Sequence, residues 1–546
     1  MRNHAWIAGS SLALFLCAGL AAPDLSHVDA TRPRHHLPEG WYHGAFMEIF
    51  VRAYQDSNGD GIGDLRGLTS RLDHLKALGI KGLWLMPVTK SADGDHGYAT
   101  TDFRDIEPAY GTLADFDDLL RQAHRRGIGV IVDYVINHSA AAHPLFQESL
   151  KGPDNRFRDW YVWSEEAPKG WDIWGQNPWY HGASEPWLFK GPLKELPPAP
   201  LDAKQHYFGT FGPHMPDFNL TRPEVLAYHL SSLNFWLNRG LDGFRLDAVP
   251  HMIENDATHW NDQPESRALT KRLQDTIKAH PGRYVVCEAT AQPLAYGDPA
   301  VCGGAFAFGH VQHYVEAALG KVESVRQLAE YDRTALPTMA TFVSNHDRFA
   351  GARLWDQVRG DSARYKLAAA GYLLQPGTPF IYYGEEVGQA GVPRLPGDQP
   401  LRAPMSWTAD PMTAGFTSGR PFRPVAPNIA THNVQAQERD PASILNFYKA
   451  MLKLRNSLQS IARGSFEASF AEGLVLGYQR QWRQERTLVL INYGTEAVEL
   501  SVPGLPAAAK AHRIWPRGHA VLRADHNGSA RAFVPALSVG VYRVGK

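Results

Sequence analysis

"LADFDDLLRQAHRRGIGVIVDYVINH", Leu113 to His138, decides the fold. Its first part is amphipathic, with Leu113, Phe116, Leu119, Leu120 and Ala123 spaced as one helix face. Gly127 stands where a helix commonly stops. "GIGVIVDYV" then reads as a strand buried on both faces, and Asp133 and His138 stand at its far end. A helix leading into a buried apolar strand is the repeating unit of a parallel α/β protein.

The same unit recurs on both sides. "GAFMEIFV", "GIKGLWLMPV", "GFRLDAV", "RYVVCEA", "GAFAFG", "MATFVSN" and "PFIYYGEE" are the other strand-like runs, and "LRGLTSRLDHLKALG" and "PEVLAYHLSSLNFWLNRG" are two more helical patterns ending in Gly. Eight such strands alternating with helices predict an α/β fold, a (β/α)₈ TIM barrel, over residues 38–138 and 221–461. Between them, residues 139–220 are rich in Pro and Trp and show no strand–helix unit. A structureless loop of that length is implausible, so an inserted domain is expected after strand three. From residue 462 to 546 short strands alternate with turns, which predicts a C-terminal antiparallel β-sandwich.

The chain has 546 residues, enough for about two to four domains. Its formal net charge is −1, so no electrostatic case exists for binding nucleic acid or an anionic membrane. Residues 1–22 carry Arg2, an apolar run and then small residues, the pattern of a secretory signal peptide. The expected location is therefore secreted or periplasmic, with no membrane attachment after signal removal. Cys287 and Cys302 then read either as a disulfide, contributing roughly 3 kcal/mol, or as two buried thiols.

In such a barrel the strand C-termini build the active site. They hold Asp133 and His138 after strand three, Arg245 and Asp247 on strand four, Glu288 after strand five, and His346 and Asp347 after strand seven. Arg245 and Asp247 are two apart and face one side, and the Arg favours an ionised carboxylate. Glu288 follows the apolar "YVVC"; poor solvation would raise its pKa and keep a proton on it. A nucleophilic carboxylate and a proton-donating one are what a retaining glycosidase needs.

A separate stretch, "QDSNGDGIGDLRG" (Gln55–Gly67), carries oxygen side chains at alternating positions, like a calcium loop, but has Gly67 where an EF-hand would place Glu.

Taken together, "DYVINH" (Asp133–His138), "GFRLDAVPH" (Gly243–His251), "VVCEA" (Val285–Ala289) and "FVSNHD" (Phe342–Asp347) resemble, in order, the four main motifs of the α-amylase superfamily of retaining glycoside hydrolases, glycoside hydrolase family 13. "MPDFN" (Met215–Asn219) resembles a subgroup intermediate between oligosaccharide glucosidases and neopullulanases. The resemblance implies Asp247 as nucleophile, Glu288 as general acid/base and Asp347 as the carboxylate that stabilises the transition state. It implies that His138, Arg245 and His346 contact the sugar, and that Tyr98 stacks beneath it. It further implies one structural Ca²⁺ on Asp56, Asn58, Asp60, the carbonyl of Ile62, and Asp64. Asn219 stands where the amylase pattern has an Asp ligand, so a second calcium is not expected.

Ala248, small and next to the nucleophile, accompanies α-1,4 bonds in related enzymes. Asp95 and Arg402 match a pair that closes the pocket floor in exo-acting relatives. Trp160, Trp163, Trp171, Trp174, Trp179 and Trp187 read as core of the inserted domain or as stacking platforms for sugar. The expected substrate is an α-glucan or malto-oligosaccharide, hydrolysed at α-1,4 bonds. A transglycosylase or isomerase on the same scaffold, amylosucrase-like or trehalose-synthase-like, is the alternative. An inactive sugar-binding protein is disfavoured by the intact carboxylates.

Overall fold

The computed structural model describes residues 24–181 and 205–545. The signal segment and Trp187 lie outside the described residues.

Eight parallel strands close into a barrel. They are β1 (Phe46–Ile49), β2 (Gly82–Leu85), β3 (Gly129–Tyr134), β4 (Gly243–Leu246), β5 (Tyr284–Cys287), β6 (Ala305–Phe306), β7 (Met339–Thr341) and β8 (Thr378–Tyr382). Seven lie within one of the eight apolar runs and β8 begins one residue before its own, and every residue of every strand is buried. Register joins neighbours around the ring, Phe46 beside Phe380 and Gly82, Arg245 beside Asp133 and Val286. Inside, Phe46 stacks on Phe380 (4.8 Å) and Trp84 packs on Phe306 (5.3 Å), so the barrel is plugged by aromatic rings below its mouth.

The helix of the opening stretch spans Leu113–Arg125. A reciprocal capping box between Thr112 and Asp115 starts it, and Phe116, Leu119, Leu120 and Ala123 are its buried face. The stretch from Leu65 divides into two helices, Leu65–Ser70 and Leu72–Leu78, because Arg71 leaves helical geometry at φ −98°, ψ 1°.

Two excursions shape the barrel mouth. A β-hairpin, Thr89–Ser91 with Thr100–Ile106, follows β2 and carries Asp95 and Tyr98 on its loop. After β3, His206–Phe208 pairs antiparallel with both Trp163–Ser164 and Trp179–His181. A bridge from His138 to Asp217, and the Phe218 N–H donating to the Asn137 carbonyl (2.9 Å), tie this insertion to the end of β3. The C-terminal region is a six-stranded antiparallel sheet and a two-stranded one, with Leu488, Leu490, Val502, Ala532 and Val544 in the core between them. Buried Arg480 anchors it to the barrel by donating to the carbonyl of Leu374 (3.1 Å).

Cys287 and Cys302 are joined as a disulfide, their Cα atoms 6.4 Å apart, which decides between the two readings of the pair. Among the described residues no helix is long and apolar enough to cross a membrane.

Candidate active site

The ends of β3, β4, β5 and β7 converge on one cavity of about 580 Å³. Arg245, the third residue of β4, sits at its base, 1% exposed. Its Nη1 donates to Asp133 Oδ1 (2.8 Å) and contacts Asp247, while Nη2 lies 3.0 Å from Glu288 Oε2. The strand register makes this possible, because Asp133 and Arg245 are direct neighbours on parallel strands. The backbone N–H of Ala248 also donates to Glu288 Oε2 (3.0 Å), and to do so Ala248 takes the left-handed conformation at φ 49°. Such a conformation suits a small residue better than a β-branched one.

Burial raises the Asp247 carboxyl to about 6, with Arg245 opposing the rise. The sequence expectation was that Arg245 would dominate; the physical reason it does not is that the pair has lost its water. Burial likewise raises Glu288, to about 7, with Arg245 again opposing and the Asp247 and Asp347 charges adding to the rise. Asp347 behaves oppositely. Burial would raise it, but the charge of His346 and the Arg402 guanidinium hold it well below the ordinary carboxylate range.

His346 is the hub of a second network. Its Nδ1 is 2.6 Å from Glu48 Oε1 on β1, and its Nε2 is 3.1 Å from Asp347 Oδ2. Burial would deprotonate the ring, yet the two carboxylates raise it to about 10. Tyr98 lies parallel to His346 at 5.4 Å, and its hydroxyl meets His346 Nε2 (2.7 Å) and donates to Asp133 Oδ2 (2.8 Å). His138 lines the cavity, and burial lowers its pKa to about 3, so it is neutral.

Below, Arg402 Nη1 is 3.6 Å from Asp95 Oδ2 and its Nη2 is 3.4 Å from Asp347 Oδ1. Arg423 Nη2 donates to the other oxygen of Asp95 (2.9 Å), and its Nη1 donates to the carbonyl of Arg402 (3.1 Å). Of the nine predicted catalytic and sugar-binding residues, six line this one cavity, and Asp95, Arg245 and His346 each pair with a residue that does. Glu48, Arg423 and Asp398, which is 3.4 Å from Arg402, went unrecognised in the sequence. A lone Glu inside the apolar run "GAFMEIFV" was the available sign of Glu48.

The inserted-domain tryptophans divide. Trp160 is buried; Trp163 stacks on Phe146 with the Arg158 guanidinium over its ring; Trp171 and Trp179 both pack on Phe208. Among the described tryptophans of the insertion, Trp174 alone lines the cavity.

The calcium-like loop packs against residues 416–422, with the Asp56 N–H donating to the Phe416 carbonyl (2.9 Å) and the Phe422 N–H to the Gly61 carbonyl (3.0 Å). Asp56 Oδ1 accepts from Asn58 N (2.9 Å) and Gly59 N (2.8 Å), and Oδ2 accepts from Gly61 N (2.8 Å) and Thr417 Oγ1 (2.5 Å). Asn58 and Asp60 each accept from the N–H two residues on (2.8 Å). Asp64 caps the helix Leu65–Ser70 through Gly67 N (2.7 Å) and also accepts from Ser57. Gly61 has φ 90°, and a Cβ there would fall 2.0 Å from the Arg420 carbonyl, so only glycine fits. Among the described residues no three acidic, His or Cys side chains converge as a preformed metal nest. The ligand set Asp56, Asn58, Asp60, Ile62 and Asp64 is all oxygen, which fits a hard cation in kind and chain order.

Residues 48–464 match the model of the alpha amylase catalytic domain. Over 519 residues the chain is 35% identical to the trehalose synthase/amylase TreS of Mycolicibacterium smegmatis, covering 84% of this chain and 85% of that protein. It is 31% identical to a probable alpha-glucosidase of Rhizobium meliloti, covering 85% and 91%. Among solved structures, the alpha-glucosyl transfer enzyme XgtA superposes with a TM-score of 0.77 at 27% identity, over 93% of this chain and 100% of that one.

Proposed function

The chain belongs to the alpha amylase catalytic-domain family and is a glycoside hydrolase, and we propose that it cleaves α-1,4-glucosidic bonds of malto-oligosaccharides or starch with retention, through a covalent glucosyl intermediate. The observation that carries this reading is the single guanidinium, Arg245, in contact with both Asp247 and Glu288. It sets a nucleophile and a proton donor close together, as double displacement requires.

In the first step Asp247 attacks the anomeric carbon, and the leaving oxygen takes the Glu288 proton. In the second, Glu288, now a carboxylate, takes a proton from water, whose oxygen displaces Asp247. Asp347, held ionised, grips sugar hydroxyls and opposes the positive charge that builds on the ring. Tyr98, His138 and His346 orient that ring. Asp95, held by two guanidiniums, supports a closed floor and hence release of glucose from non-reducing ends.

The test is product analysis with maltose, maltotriose, starch and sucrose. Release of α-glucose alone supports this reading, and mixed oligomers indicate internal cutting. A second reading, transfer or isomerisation of the glucosyl group, is favoured by the likeness to the trehalose synthase/amylase TreS and to the alpha-glucosyl transfer enzyme XgtA; trehalose formed from maltose, or longer chains, would establish it. One Ca²⁺ on the Asp56–Asp64 loop is proposed as a structural clip, supported by its oxygen donors. Export through residues 1–22 is proposed as well, and a paired Cys287–Cys302 is in keeping with an oxidising compartment.

A further inference from the structure

The formal net charge of −1 averages over an uneven distribution. Residues 510–545 hold six Lys or Arg and one acid, Asp525. Strand register gathers part of this charge on one face. In the C-terminal six-stranded sheet Lys510 stands directly opposite Arg523, and His512 directly opposite Arg543. Direct cross-strand partners point to the same side, and so do Lys510 and His512, two apart on one strand. The turn between Lys510–Trp515 and Val521–Arg523 adds Arg517 and His519.

All six of these side chains are exposed. Among the described residues Lys510, Arg517, Arg523 and Arg543 have no ion pair and no side-chain hydrogen bond. The rest of these strands follows the ordinary pattern, with Ala511, Leu522 and Val544 turned into the sandwich core. On the opposite face Val541 and Trp515 pack against the barrel, and the cations occupy the open edge beyond them. Like charges directly opposite each other destabilise a sheet. Here they are set opposite each other and left without a neutralising acid, which is the mark of a surface that meets an anion from outside.

We propose that this face docks the enzyme on a bilayer that carries anionic phospholipids, as a peripheral contact made by charge. Cations standing side by side on a sheet present a plane, and a plane of phosphate headgroups is its complement. Each Lys or Arg brought near such a surface strengthens binding about fivefold at moderate salt. None of the six lines the catalytic cavity, so docking requires nothing of the reaction proposed above and leaves it unaltered.

The test is co-sedimentation with vesicles of phosphatidylcholine alone and of equal parts phosphatidylcholine and phosphatidylglycerol. In about 0.1 M salt, where charge reaches about 10 Å, the protein should pellet with the mixed vesicles and not with the neutral ones. At about 1 M salt, where that reach falls to about 3 Å, it should stay in solution. Arg523→Gln and Arg543→Gln should each lower binding about fivefold, and together about 25-fold. Arg272→Gln, which removes an exposed cation from the barrel helix Pro264–Lys278, should change nothing. Thermal melting of the sheet variants should match wild type or slightly exceed it, because like-charge repulsion is relieved. Equal binding to both kinds of vesicle, no binding to either, or a loss in Arg272→Gln as large as in the sheet variants overturns the proposal. Retention on heparin without vesicle binding also overturns it, and gives the face to an acidic polymer instead.

Discussion

Arg245 reaches Glu288 at 3.0 Å from Nη2, while its other terminal nitrogen, Nη1, holds Asp133 and Asp247. One cation therefore tempers both members of the proposed catalytic pair. Removing either carboxyl should have distinct consequences. Asp247→Asn cannot form a glycosyl ester, so kcat on maltose should fall by about 10⁴-fold or more. Glu288→Gln should lose about 10²–10⁴-fold on maltose but far less in the first step on a substrate with a good leaving group, which needs no proton. Equal losses on natural and activated glycosides, read in single-turnover kinetics, would contradict the assignment.

The pH dependence follows from the two raised carboxyls. Asp247, at about 6, must be ionised, so kcat/KM declines below that value; Glu288, at about 7, must be protonated, so kcat/KM declines above it. The expected profile is a narrow bell between them, its two limbs belonging to the coupled pair. His346, at about 10, and His138, at about 3, do not titrate in that window. A profile flat across the window and a full unit to either side would be incompatible with this account.

Opening the pocket floor should alter substrate choice more than chemistry. Arg423→Met leaves one oxygen of Asp95 without its 2.9 Å partner, and Arg402→Met also removes the guanidinium 3.4 Å from Asp347 Oδ1. For Arg423→Met, KM for maltose should rise about tenfold with a smaller change in kcat. Mixed oligomers should appear from starch. An unchanged KM and product pattern in both variants would remove the floor from specificity.

These residues show unevenly what the chain makes legible. The barrel could be read because each parallel strand is buried on both faces and is written as an apolar run, from "GAFMEIFV" to "PFIYYGEE". Asp247, Glu288 and Asp347 could be read because they end such runs. Arg423 could not: it lies in a loop with no strand or helix pattern and meets Asp95 only through the fold. The strands Lys510–Trp515 and Ala530–Val534 are hard to read for another reason, being half-exposed and interrupted by charge. The Cys287–Cys302 pairing and the sorting of the tryptophans depend on distances that spacing along the chain does not encode.

Calcium bears on stability. If the Asp56–Asp64 loop holds an ion, adding Ca²⁺ at 100 times its Kd contributes about 2.7 kcal/mol, and a chelator should lower Tm by several degrees. Asp60→Asn should abolish that difference while sparing the fold. Identical melting with and without chelator, together with no calcium by elemental analysis, would exclude the clip.

The most direct test of the central claim is to trap the glucosyl group on Asp247. Glu288→Gln enzyme, given α-glucosyl fluoride, should form the ester without needing an acid and then lack the base to hydrolyse it. Peptide mass spectrometry should find one hexose on the peptide that carries Asp247. Steady fluoride release with no adduct, or a hexose on any other side chain, would contradict a mechanism built on Asp247 as nucleophile.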